Sequence, residues 1–367
     1  MQSGKRVLGL DLLRMIAISL VLISHFVAIP LFQQFRAVPL WVMQLGFLGV
    51  ELFFVLSGFL IGNLLLDICV RRPTFEAWAI FLLRRLMRTV PAYLLWLIVL
   101  LVLLPPLDPV VHFATYMAFA QNLAWPFPAD GWFAVSWSLT VEEWFYFLFS
   151  AMMFAFVNAV GRRGAPLTIL VFLIAPLFLR TIMPDAAQWD ASIRKTVLLR
   201  LDAIAYGVAL ALWMRRSAFL DRYWQGALVV GLGLLALAIG NWQFRTGVWE
   251  IEGRFWRSLI FSFTSIGFAL VFPAFLRFSA TPGPTVTVIT AVSTYSYGAY
   301  LVHYSILERL APWMSGSVPL CITILGIAGV LTFALAYISF RFVERPILAR
   351  RPIQRWMDKP GRYDLIG

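Results

Sequence analysis

Residues 8–31 read LGLDLLRMIAISLVLISHFVAIPL, and their reading decides the fold. The stretch exceeds the roughly 20 apolar residues needed to carry a helix across a bilayer, yet it holds Asp11, Arg14 and His25. Ionisable groups inside a span are costly and are paired, face a cavity, or serve a function. Asp11 and Arg14 also interrupt the apolar run, and no small-residue cleavage site follows, so a retained first span is predicted rather than a signal peptide.

Working outward, runs of similar length recur at 45–69, 80–104, 136–159, 166–182, 196–214, 224–241, 256–276, 289–310 and 317–342, separated by Pro, Gly or paired charges. The prediction is an all-α, polytopic bundle of about ten transmembrane helices. Composition agrees: 61% of the 367 residues are hydrophobic and 13% charged, which excludes an ordinary soluble domain. A single membrane domain over residues 1–345 is expected, followed by a short basic tail over 346–367.

The net charge of +12 would suit a nucleic-acid partner if it formed one basic face. Instead the cations alternate. Lys5 and Arg6, the group from Arg71 to Arg88, Arg162 and Arg163, Arg215 to Arg222, Arg277 and the tail occupy every second connection, whereas residues 105–135 carry no Lys or Arg. The positive-inside rule then places both termini in the cytoplasm and predicts no nucleic-acid partner. Within the outer loop, the apolar segment 111–125 is too short to span and is expected to lie at the interface or fold back over the bundle. Cys69 and Cys321 fall on opposite faces, so no disulfide is expected. With three His and two distant Cys, no metal site is predicted. No internal repeat marks an inverted-repeat transporter.

Eleven residues separate Arg14 from His25, which is about three helical turns and roughly 16 Å of rise. Both therefore project from one stripe that joins the cytoplasmic and outer halves of the membrane, a layout suited to an elongated ligand. Asp11, one turn from Arg14, makes a structural ion pair the competing explanation for that cation. In the fourth span, Trp137-Ser138-Leu139-Thr140-Val141-Glu142-Glu143-Trp144-Phe145-Tyr146 brings Glu142 to the expected depth of His25. A carboxylate beside an imidazole fixes its tautomer and makes it a general base toward a hydroxyl, the chemistry of acyl transfer. Ser57, Tyr146 and Tyr300 share that depth as candidate oxyanion donors, and His303 is a candidate to line the acceptor cavity or assist His25. Ser57 equally suits close helix packing, and His112 reads as a solvent-exposed loop residue. Arg84, Arg85 and Arg88 recur at helical spacing on the third span, where guanidinium groups fit a phosphorylated head; topology and lipid headgroups are the alternative, favoured for Arg84, whereas Arg88 lies far enough into the span to need a partner.

These segments resemble the membrane acyltransferase-3 family. The likeness is carried by Leu10-Asp11-Leu12-Leu13-Arg14 with His25, by Gly49 to Ile61, by Arg84 to Tyr93, by Ser136 to Tyr146, by Arg200-Leu201-Asp202 with Gly207, by Ser296 to His303, and by Phe342-Val343-Glu344-Arg345-Pro346. It implies an O-acyltransferase of surface or exopolysaccharides in the bacterial inner membrane. The donor would be cytoplasmic acyl-CoA, usually acetyl-CoA, held by Arg14, Arg85 and Arg88, with no tightly bound cofactor. His25, supported by Glu142, would act as general base or acyl carrier toward a carbohydrate or lipid-linked glycan. Many members append a soluble hydrolase-like domain, whereas this sequence runs on as the basic tail. A homo-oligomer is compatible with all of this. A transporter or flippase for a lipid-linked glycan or small anion is the rival expectation, and a noncatalytic envelope scaffold the second.

Overall fold

All ten apolar segments form helices in the computed structural model, which describes residues 7–28, 30, 40–71, 73–240, 243–245, 248–250, 253–314 and 317–349. They are α1 (Leu8–Leu22, running on as a π-helical turn, Ile23–Ala28), α2 (Leu45–Arg71) and α3 (Phe75–Leu103). A short loop helix, α4 (Pro109–Met117), precedes α5 (Ser136–Val160), α6 (Gly164–Thr181) and α7 (Leu201–Arg216). The set closes with α8 (Trp224–Gly240), α9 (Arg254–Leu276), α10 (Pro284–Leu310) and α11 (Val318–Ser339). The one regular element other than helix among the described residues is an antiparallel hairpin of three-residue strands, Gln243–Arg245 and Val248–Glu250. Of the tail expected over 346–367, residues 350–367 lie outside the described residues.

By length and hydropathy, six described stretches can cross a bilayer: Leu8–Val27, Trp41–Cys69, Phe75–Leu103, Ser136–Thr181, Arg254–Leu276 and Val318–Ala349. The chain is thus a multi-pass membrane protein, and the difference from ten has physical causes. Ser136–Thr181 contains two helices, α5 and α6, packed on each other. α7 carries Asp202, Arg215 and Arg216, and α10 is rich in Ser, Thr and Tyr, so neither is strongly apolar. α8 is apolar but has only 17 residues.

α2 and α7 cross at backbone contact. A Cβ on Gly207 would fall 2.1 Å from the Val55 carbonyl oxygen, and one on Gly58 would fall 1.9 Å from that of Ile204. Only glycine permits that approach, as in other tightly packed membrane helices. Two buried ion pairs bind the same region. Arg180 of α6 donates from Nη1 and Nη2 to the two carboxylate oxygens of Asp202 at 2.9 and 2.6 Å, and from Nε to the Ser258 carbonyl at 2.9 Å. Arg200 pairs with Glu51 of α2 and lies 3.7 Å from the centre of the Phe261 ring. All four ionised side chains are fully enclosed, so breaking either pair would leave a charge stranded out of water.

The 105–135 loop folds back over the bundle, in line with its apolar content. Asp108 caps α4 by accepting from the Val111 N–H, Tyr93 of α3 donates to the Tyr116 carbonyl at 2.9 Å, and Tyr116 donates to that of Trp132 at 2.7 Å. Both cysteines are buried free thiols.

Candidate active site

α1 and α10 run parallel through the middle of the bundle. Near their starts the Ser293 hydroxyl donates to Asp11 Oδ1 at 2.7 Å, and near their far ends His25 Nδ1 meets His303 Nε2 at 2.8 Å. Arg14 is tied to Asp11 at 3.1 Å while its side chain stays 23% exposed. Asp11 and His25 of α1 therefore both meet α10, with Arg14 between them along the axis.

That helix carries a stripe of its own, Ser293, Tyr297, Tyr300 and His303, at spacings of four, three and three. Tyr297 donates to the Thr89 carbonyl of α3 at 2.7 Å, and the Thr89 hydroxyl donates in turn to Glu143 of α5. Tyr300 shares a 2.8 Å hydrogen bond with Ser138 of α5 and reaches the Val135 carbonyl at 3.3 Å. From Ser293 to His303 the rise is about 15 Å. A column of polar groups thus runs along the bundle from Asp11 and Arg14 at one end to His25 at the other.

Glu142 does not sit beside His25. Tyr146 donates to its Oε2 at 2.7 Å, and Ser57, 2.7 Å from the Tyr146 oxygen, donates to Tyr146 in turn. The Arg85 guanidinium lies 5.7 Å from the centre of the Tyr146 ring, and both Arg85 and Arg88 act electrostatically on Glu142. α5 and α10 are antiparallel, so from the Ser138–Tyr300 bond Glu142 lies one turn in one direction and His303 one turn in the other, about 10 Å apart along the axis. Equal depth from the membrane surface was the wrong measure. The carboxylate expected to orient His25 belongs to the arginine level, and His303 holds His25 instead.

The three expected oxyanion donors are all engaged within the protein: Ser57 and Tyr146 direct their protons toward Glu142, and Tyr300 is tied to α5. Arg85 is half-buried, Arg88 exposed, and neither donates a hydrogen bond to another described residue. Arg85 is placed by Phe81 and Tyr146, whose rings lie 6.0 and 5.7 Å from its guanidinium carbon.

His25 falls in the π-helical turn that ends α1, a local widening that recurs at functional sites. Its Nε2 points toward the first turn of α2, where a Cβ on Gly46 would lie 3.7 Å away and 2.8 Å from Ser24 Oγ. That position is tightly packed, so the α2 backbone comes close to this side of the ring. Tyr304 meets the ring edge-on at 5.4 Å, and Arg194 and Lys195, from the loop before α7, lie within its electrostatic reach. Both cations bind Asp190, at 2.5 and 2.6 Å. Burial raises the Asp190 carboxyl, but these two neighbours outweigh it and hold the group below the usual carboxylate range. Arg194 also stacks on Trp137, 4.8 Å from the ring centre.

His112, by contrast, spends both ring nitrogens on the loop, at 2.9 Å from the Asp108 carbonyl and 2.6 Å from Asp130. Gln121 and Asn122 are completely buried, hydrogen-bonded to Ser136, Thr140, the Trp137 carbonyl and the Lys195 carbonyl. No group of three or more His, Cys, Asp or Glu capable of holding a metal occurs among the described residues. Sequence reasoning passed over Arg180, although an arginine inside an apolar run was the signal available. It also passed over Arg194 and Lys195, which resembled ordinary loop cations.

The family model described as an acyltransferase domain matches residues 7–340, nearly the whole chain. The chain belongs to the acyltransferase-3 family. Among its relatives within that family, the O-acetyltransferase OatA of Staphylococcus aureus is 25% identical over 95% of this chain and 58% of its own length. The peptidoglycan O-acetyltransferase OatA of Listeria monocytogenes is 26% identical over 82% of this chain and 51% of its own. This acyltransferase-3 chain thus spans little more than half the length of the curated relatives it matches. No solved structure matches it.

Proposed function

We propose that the protein is a membrane O-acyltransferase of ten spans with both termini in the cytoplasm of a bacterial cell. It moves an acyl group, acetyl by analogy with the names of its relatives, from cytoplasmic acyl-CoA to a hydroxyl of a carbohydrate or lipid-linked glycan on the outer side. The observation that carries this reading is the polar column, with cations at and above the Arg14 end and an imidazole with a free nitrogen at the other. The alternation of basic loops orients the Arg14 end inward.

In this mechanism Arg14, Arg85 and Arg88 hold the phosphates of the donor by charge-assisted hydrogen bonds. The pantetheine arm lies along α1 and α10 and brings the thioester to His25. The acceptor hydroxyl gives its proton to His25 Nε2 as its oxygen bonds to the thioester carbonyl carbon. The tetrahedral intermediate then collapses, the C–S bond breaks, and the sulfur recovers the proton from the imidazolium, leaving free CoA and an ester. If His25 first takes the acyl group as nucleophile, the same nitrogen forms the bond.

Substitution His25→Ala tests the assignment. Transfer of label from radiolabelled acetyl-CoA into alkali-labile ester, in membranes holding equal amounts of protein, is expected to fall by at least about 100-fold, the lower range of positioned general-base catalysis. Undiminished ester formation in that variant would sink the enzymatic role of the column and favour transport through it.

A further inference from the structure

Resting on the role of His25 proposed above, we infer that His303 is a positioning residue that fixes the tautomer of His25 and so determines which of its nitrogens performs the chemistry. The Tyr300 carbonyl oxygen can only accept, so His303 Nδ1, 2.8 Å away, carries a proton. A neutral imidazole has one N–H, which leaves His303 Nε2 as an acceptor. That nitrogen lies 2.8 Å from His25 Nδ1, so the His25 proton resides on Nδ1 and its Nε2 keeps a lone pair. The two ring planes are within 9° of each other with centres 5.1 Å apart. With nitrogens in hydrogen-bond contact, this is an edge-to-edge pair in one plane, the geometry in which the N–H points at the acceptor lone pair.

Neutrality of His303 follows from its surroundings. Its side chain is fully buried, its ring neighbours are Phe26, Tyr300 and Tyr304, and no described carboxylate bonds to it. Arg194 and Lys195 act electrostatically on His25 and oppose a second positive charge at the pair. A doubly protonated His303 would reverse the chain, forcing His25 Nδ1 to accept and placing the remaining proton on Nε2, where it would block the base. A neutral acceptor also differs from a carboxylate in its effect on the product of proton transfer. It aligns the imidazolium without strongly stabilising it, so the proton is released readily to the departing sulfur.

The test uses the full-length protein in membranes with radiolabelled acetyl-CoA. His303→Phe keeps a ring and removes the acceptor; His303→Gln places an amide oxygen near the position of Nε2. His303→Phe is expected to lower the maximal rate of ester formation by about 100-fold or more with little change in the half-saturating acetyl-CoA concentration, and His303→Gln to recover activity to within about tenfold of the parent. Activity of His303→Phe within about twofold of the parent, or a His303→Gln protein as inactive as it, overturns the inference. If His25→Ala is inactive while His303→Phe is active, this inference alone fails; if His25→Ala is fully active, the proposed function fails first. Should His303→Phe not accumulate, nitrogen NMR of the parent protein labelled at its three histidines decides. An unprotonated His25 Nε2 at neutral pH is expected, and a protonated one overturns the assignment.

Discussion

Two sets of charges lie inside the helical bundle, and they are built in opposite ways. Around α2, α6, α7 and α9, Glu51 faces Arg200 and Asp202 faces Arg180, each side chain fully enclosed. Along α1 and α3, Arg14, Arg85 and Arg88 are instead partly or fully exposed. Arg14 shares Asp11 with Ser293 and remains partly exposed, while Arg85 and Arg88 hydrogen-bond to nothing else among the described residues. Asp202 spends both carboxylate oxygens on Arg180, whereas the Glu51–Arg200 pair leaves Glu51 Oε2 and Arg200 Nε without a partner. Arg85 and Arg88 keep their donors open, the condition under which a guanidinium can bind an anion.

The sharpest way to break this comparison is to damage the enclosed set. Arg180→Ala strands Asp202 and is expected to cost about 3–5 kcal/mol, read as a large fall in thermal midpoint and in the amount of protein recovered from membranes. Replacing both partners, Arg180→Met with Asp202→Leu, should restore most of the loss, because apolar residues of similar size often substitute for a buried pair. A single variant that accumulates normally but makes no ester would place this pair in the catalytic machinery instead.

Next in size is the opposite experiment. Arg85→Gln is expected to leave protein abundance unchanged and to raise the half-saturating concentration of acetyl-CoA by about 10- to 100-fold, the range for losing one hydrogen bond to a charged group. Glu142→Gln should move the same parameter more than the maximal rate, since Glu142 belongs with Tyr146 and the arginines. A collapse of the maximal rate at unchanged half-saturation would return Glu142 to the service of His25.

Why the helices were legible and the dyad was not follows from what a sequence pattern encodes. Bilayer thickness dictates run length, so all ten segments appear as helices close to their expected bounds. The local pair of Asp11 with Arg14, one turn apart, is legible as well and is bonded; Glu142 and Tyr146 are also one turn apart and bonded, although the sequence reading gave them to His25 and to an oxyanion. Span position, however, supplies depth without direction around the helix axis or the tilt of one helix on another. His25 and His303 are 278 residues apart, and their meeting depends on the parallel packing of α1 against α10, which no local spacing records. The π-helical turn at His25 is equally invisible in the residue pattern. The enclosed pairs between Arg180 and Asp202 and between Arg200 and Glu51 went unread for the same reason.

The smallest effect concerns the third histidine and sharpens the comparison between rings that are spent and rings that are free. His112 has both nitrogens engaged, with the Asp108 carbonyl and with Asp130, and the pair is partly exposed. His112→Ala should therefore cost no more than about 1 kcal/mol, as for other accessible ion pairs, and leave the rate of ester formation unchanged. A stability change of that size with full activity would show that position in the outer loop confers no catalytic role, and that what singles out His25 is the nitrogen its hydrogen-bond partner leaves unused. A loss of acetyl transfer at normal abundance would instead extend the acceptor site outward across α4, to the loop bonded to Asp130.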